Sequence, residues 1–220
     1  MSKRASLFVA LFLFVGSAAS AGPITYGVTV DTSSIAGTAG SLDFNFNPGP
    51  FVTQAASLQI LSFSGDGTLA GSSTLTGDVS GALPATLTFD NGTGFNDYFE
   101  GFTFGATLAF NVSLYGPALS SPDGVSTSGS TFALSMFSDP AGTIPALTTD
   151  TTDGFAFTVD VNLDGTTTVS DFSSQTGVEQ VGSSVPEPSS LILLGTVVIL
   201  GAMVRFRERF RHRTRCRNSA

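Results

Sequence analysis

Apolar residues recur at every second position in short runs along the middle of the chain. Tyr26, Val28 and Val30 form the first run, and Leu42, Phe44 and Phe46 the second. Leu58, Ile60 and the pair Leu61/Phe63 follow, then Leu108, Phe110, Val112 and Leu114. Phe132, Leu134 and Met136 make a fifth, and Phe155, Phe157, Val159, Val161 and Leu163 a sixth. Successive Cβ atoms of a strand point to opposite faces, so a period of two buries one face of extended chain. No useful length of the middle keeps the 3.6-residue period of an amphipathic helix. Turn dipeptides separate the runs: Asp66-Gly67, Asn91-Gly92, Asp123-Gly124, Asp153-Gly154 and Asp164-Gly165, with a proline-rich loop at Asn47-Pro48-Gly49-Pro50. The pattern predicts an all-β protein: roughly eight to ten short strands in a single β-sandwich domain of jelly-roll type over residues 22–172. Residues 173–184 are polar and read as a linker.

Two apolar runs break the alternation, one near each end. Leu7 to Val15 is nine residues long, follows Lys3 and Arg4, and precedes Ala19-Ser20-Ala21. A basic start, a short apolar stretch and small residues are the parts of a secretory signal peptide, here 1–21, with cleavage between Ala21 and Gly22. The run is too short to span a bilayer as a mature helix. Ser189 to Val204 is apolar and uncharged. At about 1.5 Å per residue it makes a helix of roughly 24 Å. Arg205 can snorkel and Phe206 extends the apolar stretch, so the segment is expected to be a transmembrane helix. Pro186 and Pro188 each fix their own φ and disfavour helix in the residue before, so the helix stops there and an extended peptide is left at the membrane face.

Charge sharpens this picture. Residues 22–188 carry 16 acidic and no basic side chains, whereas all nine Lys and Arg residues sit at Lys3, Arg4 and Arg205 to Arg217. Cations confined to the two ends are the pattern of a chain whose middle is exported while both tails stay in the cytoplasm. The polyanionic middle would be repelled by phosphates, which argues against nucleic acid as a partner. The single cysteine, Cys216, lies in the arginine tail, so no disulfide can staple the middle.

The segment VPEPSSLILLGTVVILGAMVRFR, residues 185–207, combines Pro-Glu-Pro, a hydrophobic helix and an arginine cluster. It resembles the PEP-CTERM sorting signal of Gram-negative bacteria, here taken as 185–211 with the motif Pro186, Glu187 and Pro188. The resemblance implies export across the inner membrane and transient anchoring. It also implies processing by signal peptidase and an exosortase, then release to the cell surface or an exopolysaccharide matrix. The basic tail, 212–220, is longer than the usual few arginines.

The middle excludes much chemistry. Residues 22–188 have no His, Cys, Lys, Arg or Trp, which removes the usual general base, thiol nucleophile, Schiff-base amine and His/Cys zinc site. A Ser-His-Asp triad cannot form, since His212 is the sole histidine. What remains is carboxylate chemistry. The sharpest motif is Asp160-Val161-Asn162-Leu163-Asp164-Gly165 with Asp171 at loop position twelve, similar to an EF-hand or dockerin calcium loop. In that reading Asp160, Asn162 and Asp164 supply side-chain oxygens, the Thr166 carbonyl position seven, and Asp171 closes the shell. The same residues also read as a strand, an Asp-Gly hairpin turn and a returning strand from Thr166 to Phe172. The cluster Asn96-Asp97-Tyr98-Phe99-Glu100 offers Tyr98 to a sugar, or is a loop with one anchored ring. These features predict a non-enzymatic exported protein of the surface or matrix. The alternatives are a calcium-dependent polysaccharide-binding module and a glycoside hydrolase using carboxylates alone.

Overall fold

The computed structural model describes residues 22–181. In chain order its strands are β1 (Ile24–Asp31), β2 (Ala39–Pro48), β3 (Ser57–Gly65), β4 (Thr68–Thr76), β5 (Val79–Gly81) and β6 (Leu87–Asp90). They continue with β7 (Asp97–Thr103), β8 (Thr107–Tyr115), β9 (Ser130–Phe137), β10 (Phe155–Val161), β11 (Thr167–Asp171) and β12 (Thr176–Gln180). A 3-10 turn at Ser33–Ile35 and a one-turn helix, α1 (Pro117–Ser120), are the helical pieces. Sheet A has the order β12-β1-β8-β3-β6-β5 and sheet B the order β11-β10-β9-β2-β7-β4. All strand pairs are antiparallel. The two sheets form a β-sandwich, and most connections carry the chain from one sheet to the other.

The alternating residues supply the core. Val28, Val30, Leu58, Ile60, Phe110, Val112 and Leu114 of sheet A are buried, as are Leu42, Phe44, Phe46, Phe132, Leu134, Met136, Phe157, Val159 and Val161 of sheet B. Phe44 stands at the crossing. Its ring meets Phe110 of the opposite sheet edge-on at 5.4 Å and Tyr98 at 6.3 Å, and stacks on Phe132 at 6.5 Å. Phe132 in turn meets Phe157 at 5.7 Å. Edge-to-face contacts of this kind add to the area that large rings bury, so phenylalanine holds the two sheets together without tryptophan or disulfide.

The observed strands depart from the expected set in four places. Residues 173–184 are not simply a linker: Thr176–Gln180 form β12, which pairs along β1 from Tyr26↔Gln180 to Val30↔Thr176 and extends the domain past 172. Leu163 lies beyond the end of β10 and is 51 % exposed, so the alternation stops at Val161. A bulge between Phe155 and Phe157 shifts the register, pairing Phe155 with Ser135 and turning its side chain to the outer face. Of the five turn dipeptides, only Asp164-Gly165 forms the tight turn of a hairpin; Asp153-Gly154 ends the long connection between the bonded neighbours β9 and β10. Asp66-Gly67 and Asn91-Gly92 carry the chain between sheets. At the first of these corners the chain passes so close to the core that a Cβ on Gly67 would lie 2.2 Å from the Phe102 ring. The expected signal helix over 1–21, the helix over 189–204, the sorting signal over 185–211 and the tail over 212–220 lie outside the described residues.

Phe44→Ala would remove the ring at the crossing of both sheets. It should cost about 3–5 kcal/mol in urea unfolding. Phe51→Ala, at a side chain 72 % exposed, should stay within about 0.5 kcal/mol.

Candidate functional site

The Asp160–Asp171 segment folds as a hairpin. Asn162 N–H donates to the Thr166 carbonyl at 2.9 Å and Gly165 N–H to the Asn162 carbonyl at 3.1 Å, with Gly165 at φ +82. The side-chain oxygens are already engaged. Thr131 Oγ1 donates to Asp160 Oδ1 at 2.6 Å, and Thr166 donates to Asp164 Oδ1 through both its N–H (3.0 Å) and its hydroxyl (2.6 Å). Asn162 Nδ2 donates to Thr166 Oγ1 and Thr168 Oγ1, each at 3.0 Å. Asp171 is opposite Phe157, whereas Asp160 is opposite Thr168. Directly paired residues share a face and parity alternates, so Asp171 projects on the other side of the sheet from Asp160. The calcium loop therefore does not assemble: strand parity separates its closing ligand from the rest. Of the expected cleavage pair, Gly22 is the first described residue and Ala21 lies outside, as do Pro186, Glu187 and Pro188.

The polar-aromatic cluster at 96–100 is split by the same parity. Tyr98 is fully buried and donates its hydroxyl to Glu100, itself 2 % exposed, while accepting from Leu83 N–H at 3.1 Å. Glu100 Oε1 also accepts from Gly71 N–H at 2.8 Å, which fastens the bulge of β4 to β7. Tyr98 is thus a core clamp and offers nothing to a sugar. Asn96 is buried too, bonding Phe46 O, Thr93 O and Asp78 N–H. Asp97 and Phe99 point outward instead.

On that outer face the sheet aligns cross-strand rows. One row runs Phe99, Asp43, Ser135, Phe155; the next runs Asp97, Asn45, Ala133, Thr158; a third runs Asn47, Thr131, Asp160. The small side chain of Ala133 leaves room above it. A groove of about 310 Å³ results, lined by Asp43, Asn45, Asn47, Phe95, Thr131 and Ser135, with Asp153 and Phe155 beside them. Asn45 Nδ2 donates to Asp43 Oδ1 at 2.6 Å. Asp97 stands diagonally across the ladder from Asp43 on the same face, near enough to act on its carboxyl. Burial, reinforced by the hydrogen bond to Asp97 and by its charge, pushes the Asp43 carboxyl up to about 9, against a weaker opposing pull from Asn45. Asp43 therefore keeps a proton at neutral pH. Two buried oxygens here, Asn45 Oδ1 and Asp97 Oδ1, have no hydrogen-bond partner among the described residues.

Other aspartates behave oppositely because loop donors reach them. Asp123 is held below the usual carboxylate range by the N–H groups of Ser126 and Val125. The Thr166 hydroxyl and N–H do the same for Asp164, the Ser33 hydroxyl and N–H for Asp31, and the Thr107 and Ala106 N–H groups for Asp66. Sequence reasoning missed the Asp43/Asp97 pair because the two lie 54 positions apart and meet only through the register of β2 with β7. The alternation Asp43, Asn45, Asn47 between the buried Leu42, Phe44 and Phe46 was the available signal.

Residues 184–209 match the family model of the PEP-CTERM protein-sorting motif. The chain carries a PEP-CTERM sorting signal. That agrees with the Pro186-Glu187-Pro188 motif, the apolar stretch and the arginines that follow, and it makes this an exported protein sorted to the cell surface through an exosortase. Comparison with curated proteins and with solved structures gives no significant match.

Between the ordinary value of 3.8 and about 9 the folded protein holds a proton on Asp43 that the unfolded chain has lost. Stability should therefore fall as pH rises through that window, and lowering pH from about 8 to about 5 should raise Tm. Asp43→Asn should flatten this slope. Thermal unfolding of both proteins across the range checks it; equal slopes would contradict the assignment.

Proposed function

We propose that this chain is a non-enzymatic surface or matrix protein. Its signal peptide is removed at Ala21/Gly22, its C-terminal helix holds it briefly in the membrane, and an exosortase cuts the tether at Pro186-Glu187-Pro188. The PEP-CTERM match at 184–209 is the observation that carries this reading. The strand order supports a jelly-roll body, because β1-β8-β3-β6 faces β2-β7-β4, with β9 to β11 added beyond β2 and β12 beside β1. The residue types of 22–188 support a binding or structural role over catalysis, since they lack His, Cys, Lys and Arg.

A second reading, a polysaccharide-binding module, is favoured by Phe95. This ring is 54 % exposed and lines the same groove as Asn47, Thr131 and Ser135. An exposed ring beside hydroxyl and amide groups suits the apolar face and the hydroxyls of a sugar.

Replacing Pro186-Glu187-Pro188 with alanines in an exosortase-bearing cell should leave the full C-terminal tail attached and the protein in the membrane fraction. Release indistinguishable from wild type would overturn the sorting account. For the second reading, retention on the producer's own exopolysaccharide should drop about tenfold in Phe95→Ala, the loss of one stacking ring at roughly 1.4 kcal/mol. Retention no better than on an uncharged control polymer would dismiss it.

A further inference from the structure

We propose that the outer face of sheet B carries a divalent-cation site of calcium type, formed by the carboxylates of Asp43 and Asp97 and the amide oxygen of Asn45. The three residues are placed by the ladder. Asn45 on β2 is directly opposite Asp97 on β7, and Asp43 is two residues earlier on the same strand and the same face. Opposed Cβ atoms lie about 4.5–5.5 Å apart and diagonal ones about 7–8 Å, so carboxylate and amide oxygens from this triad can converge on one point.

Two buried oxygens on this face lack a donor among the described residues. Asn45 is 9 % exposed, and its Oδ1 has no donor. Asp97 Oδ1 is buried and has none either. Among the described residues, Asn45 Nδ2 is the N–H donor that reaches Asp43. Leaving such acceptors unpaired costs about 1–3 kcal/mol each, more for a charged group. No lysine, arginine or histidine of 22–188 exists to meet them. The loop aspartates differ, since Asp66, Asp123, Asp139, Asp150 and Asp164 each accept backbone N–H groups. The Asp43/Asp97 pair is thus the place in sheet B where two carboxyl groups share one face and a buried carboxyl oxygen, Asp97 Oδ1, is reached by no donor.

Chemistry selects the ion. The donors are all hard oxygens, which suits calcium or magnesium and not zinc or copper, whose sites use nitrogen and sulfur. No three acidic side chains converge among the described residues, so the amide supplies the third protein ligand. Calcium takes about six to eight oxygens and tolerates irregular geometry. The groove of about 310 Å³ beside Asn45 gives room for water, or for ligand hydroxyls, at the remaining positions. Magnesium demands a tighter octahedron, so calcium is expected to bind better.

The test uses the full-length protein in detergent, stripped with chelator, and follows thermal unfolding and equilibrium dialysis of calcium. Calcium chloride should raise Tm with the logarithm of its concentration above Kd, on the order of 5 °C at about a hundred times Kd, while dialysis saturates at one equivalent bound. Magnesium should do less at equal concentration. Asp97→Asn and Asn45→Ala should each weaken calcium binding at least about tenfold while the far-ultraviolet spectrum stays that of the folded sandwich. Glu179→Gln, an acid on β12 away from the site, should bind as wild type. Three results would overturn the proposal: no bound calcium at millimolar concentration, an equal shift in Asp97→Asn, or a shift reproduced by sodium chloride at matched ionic strength.

Discussion

A folded body without a single side-chain cation must find another partner for every carboxylate. Among the described residues, many loop aspartates meet this constraint with backbone N–H groups and hydroxyls in place of salt bridges. Asp123 caps Val125 and Ser126; Asp139 caps Thr143 and Ile144; Asp150 caps Thr152 and Asp153. These bonds rigidify the loops and keep the acids ionised at the surface, where water carries their charge. Glu100 is handled differently, being buried with the Tyr98 hydroxyl and Gly71 N–H around it. At Asp43 and Asp97 buried oxygens are left short of donors, and there a proton or a bound cation would complete the set.

Much of the fold was legible because phenylalanine and aliphatic residues mark one face of each long strand. β1, β2, β8 and β9 follow from their alternation alone. β4 and β12 were not legible, since Thr68–Thr76 and Thr176–Gln180 are mostly half-buried or exposed and show little period. β7 was hidden by Glu100, a charged residue on the inward face that breaks the expected apolar parity. Asp66-Gly67 and Asn91-Gly92 look like hairpin turns, yet their geometry serves a corner between sheets just as well. Which of these two a turn becomes is decided by where its flanking strands find partners.

The candidate site was less legible for a related reason. The loop at Asp160 to Asp171 has a contiguous ligand spacing, which catches the eye, but a strand on each side fixes the parity and sends Asp171 away from the other oxygens. The pair at Asp43 and Asp97 has no spacing signature. It exists because β2 and β7 pair in one register, and a slip of one residue would bury one acid and expose the other. The sorting signal was wholly legible, since Pro-Glu-Pro, an apolar run and arginines act in linear order and need no tertiary contact to be read.

Carboxyl-carbon NMR titration of the aspartates tests the central claim most directly. The account expects Asp43 to titrate near 9 in metal-free protein, while Asp123 and Asp164 titrate below the ordinary 3.8. If Asp43 instead titrates with the surface aspartates, its carboxyl is neither short of donors nor crowded by Asp97, and the account of a donor-poor body with one unmatched pair is contradicted.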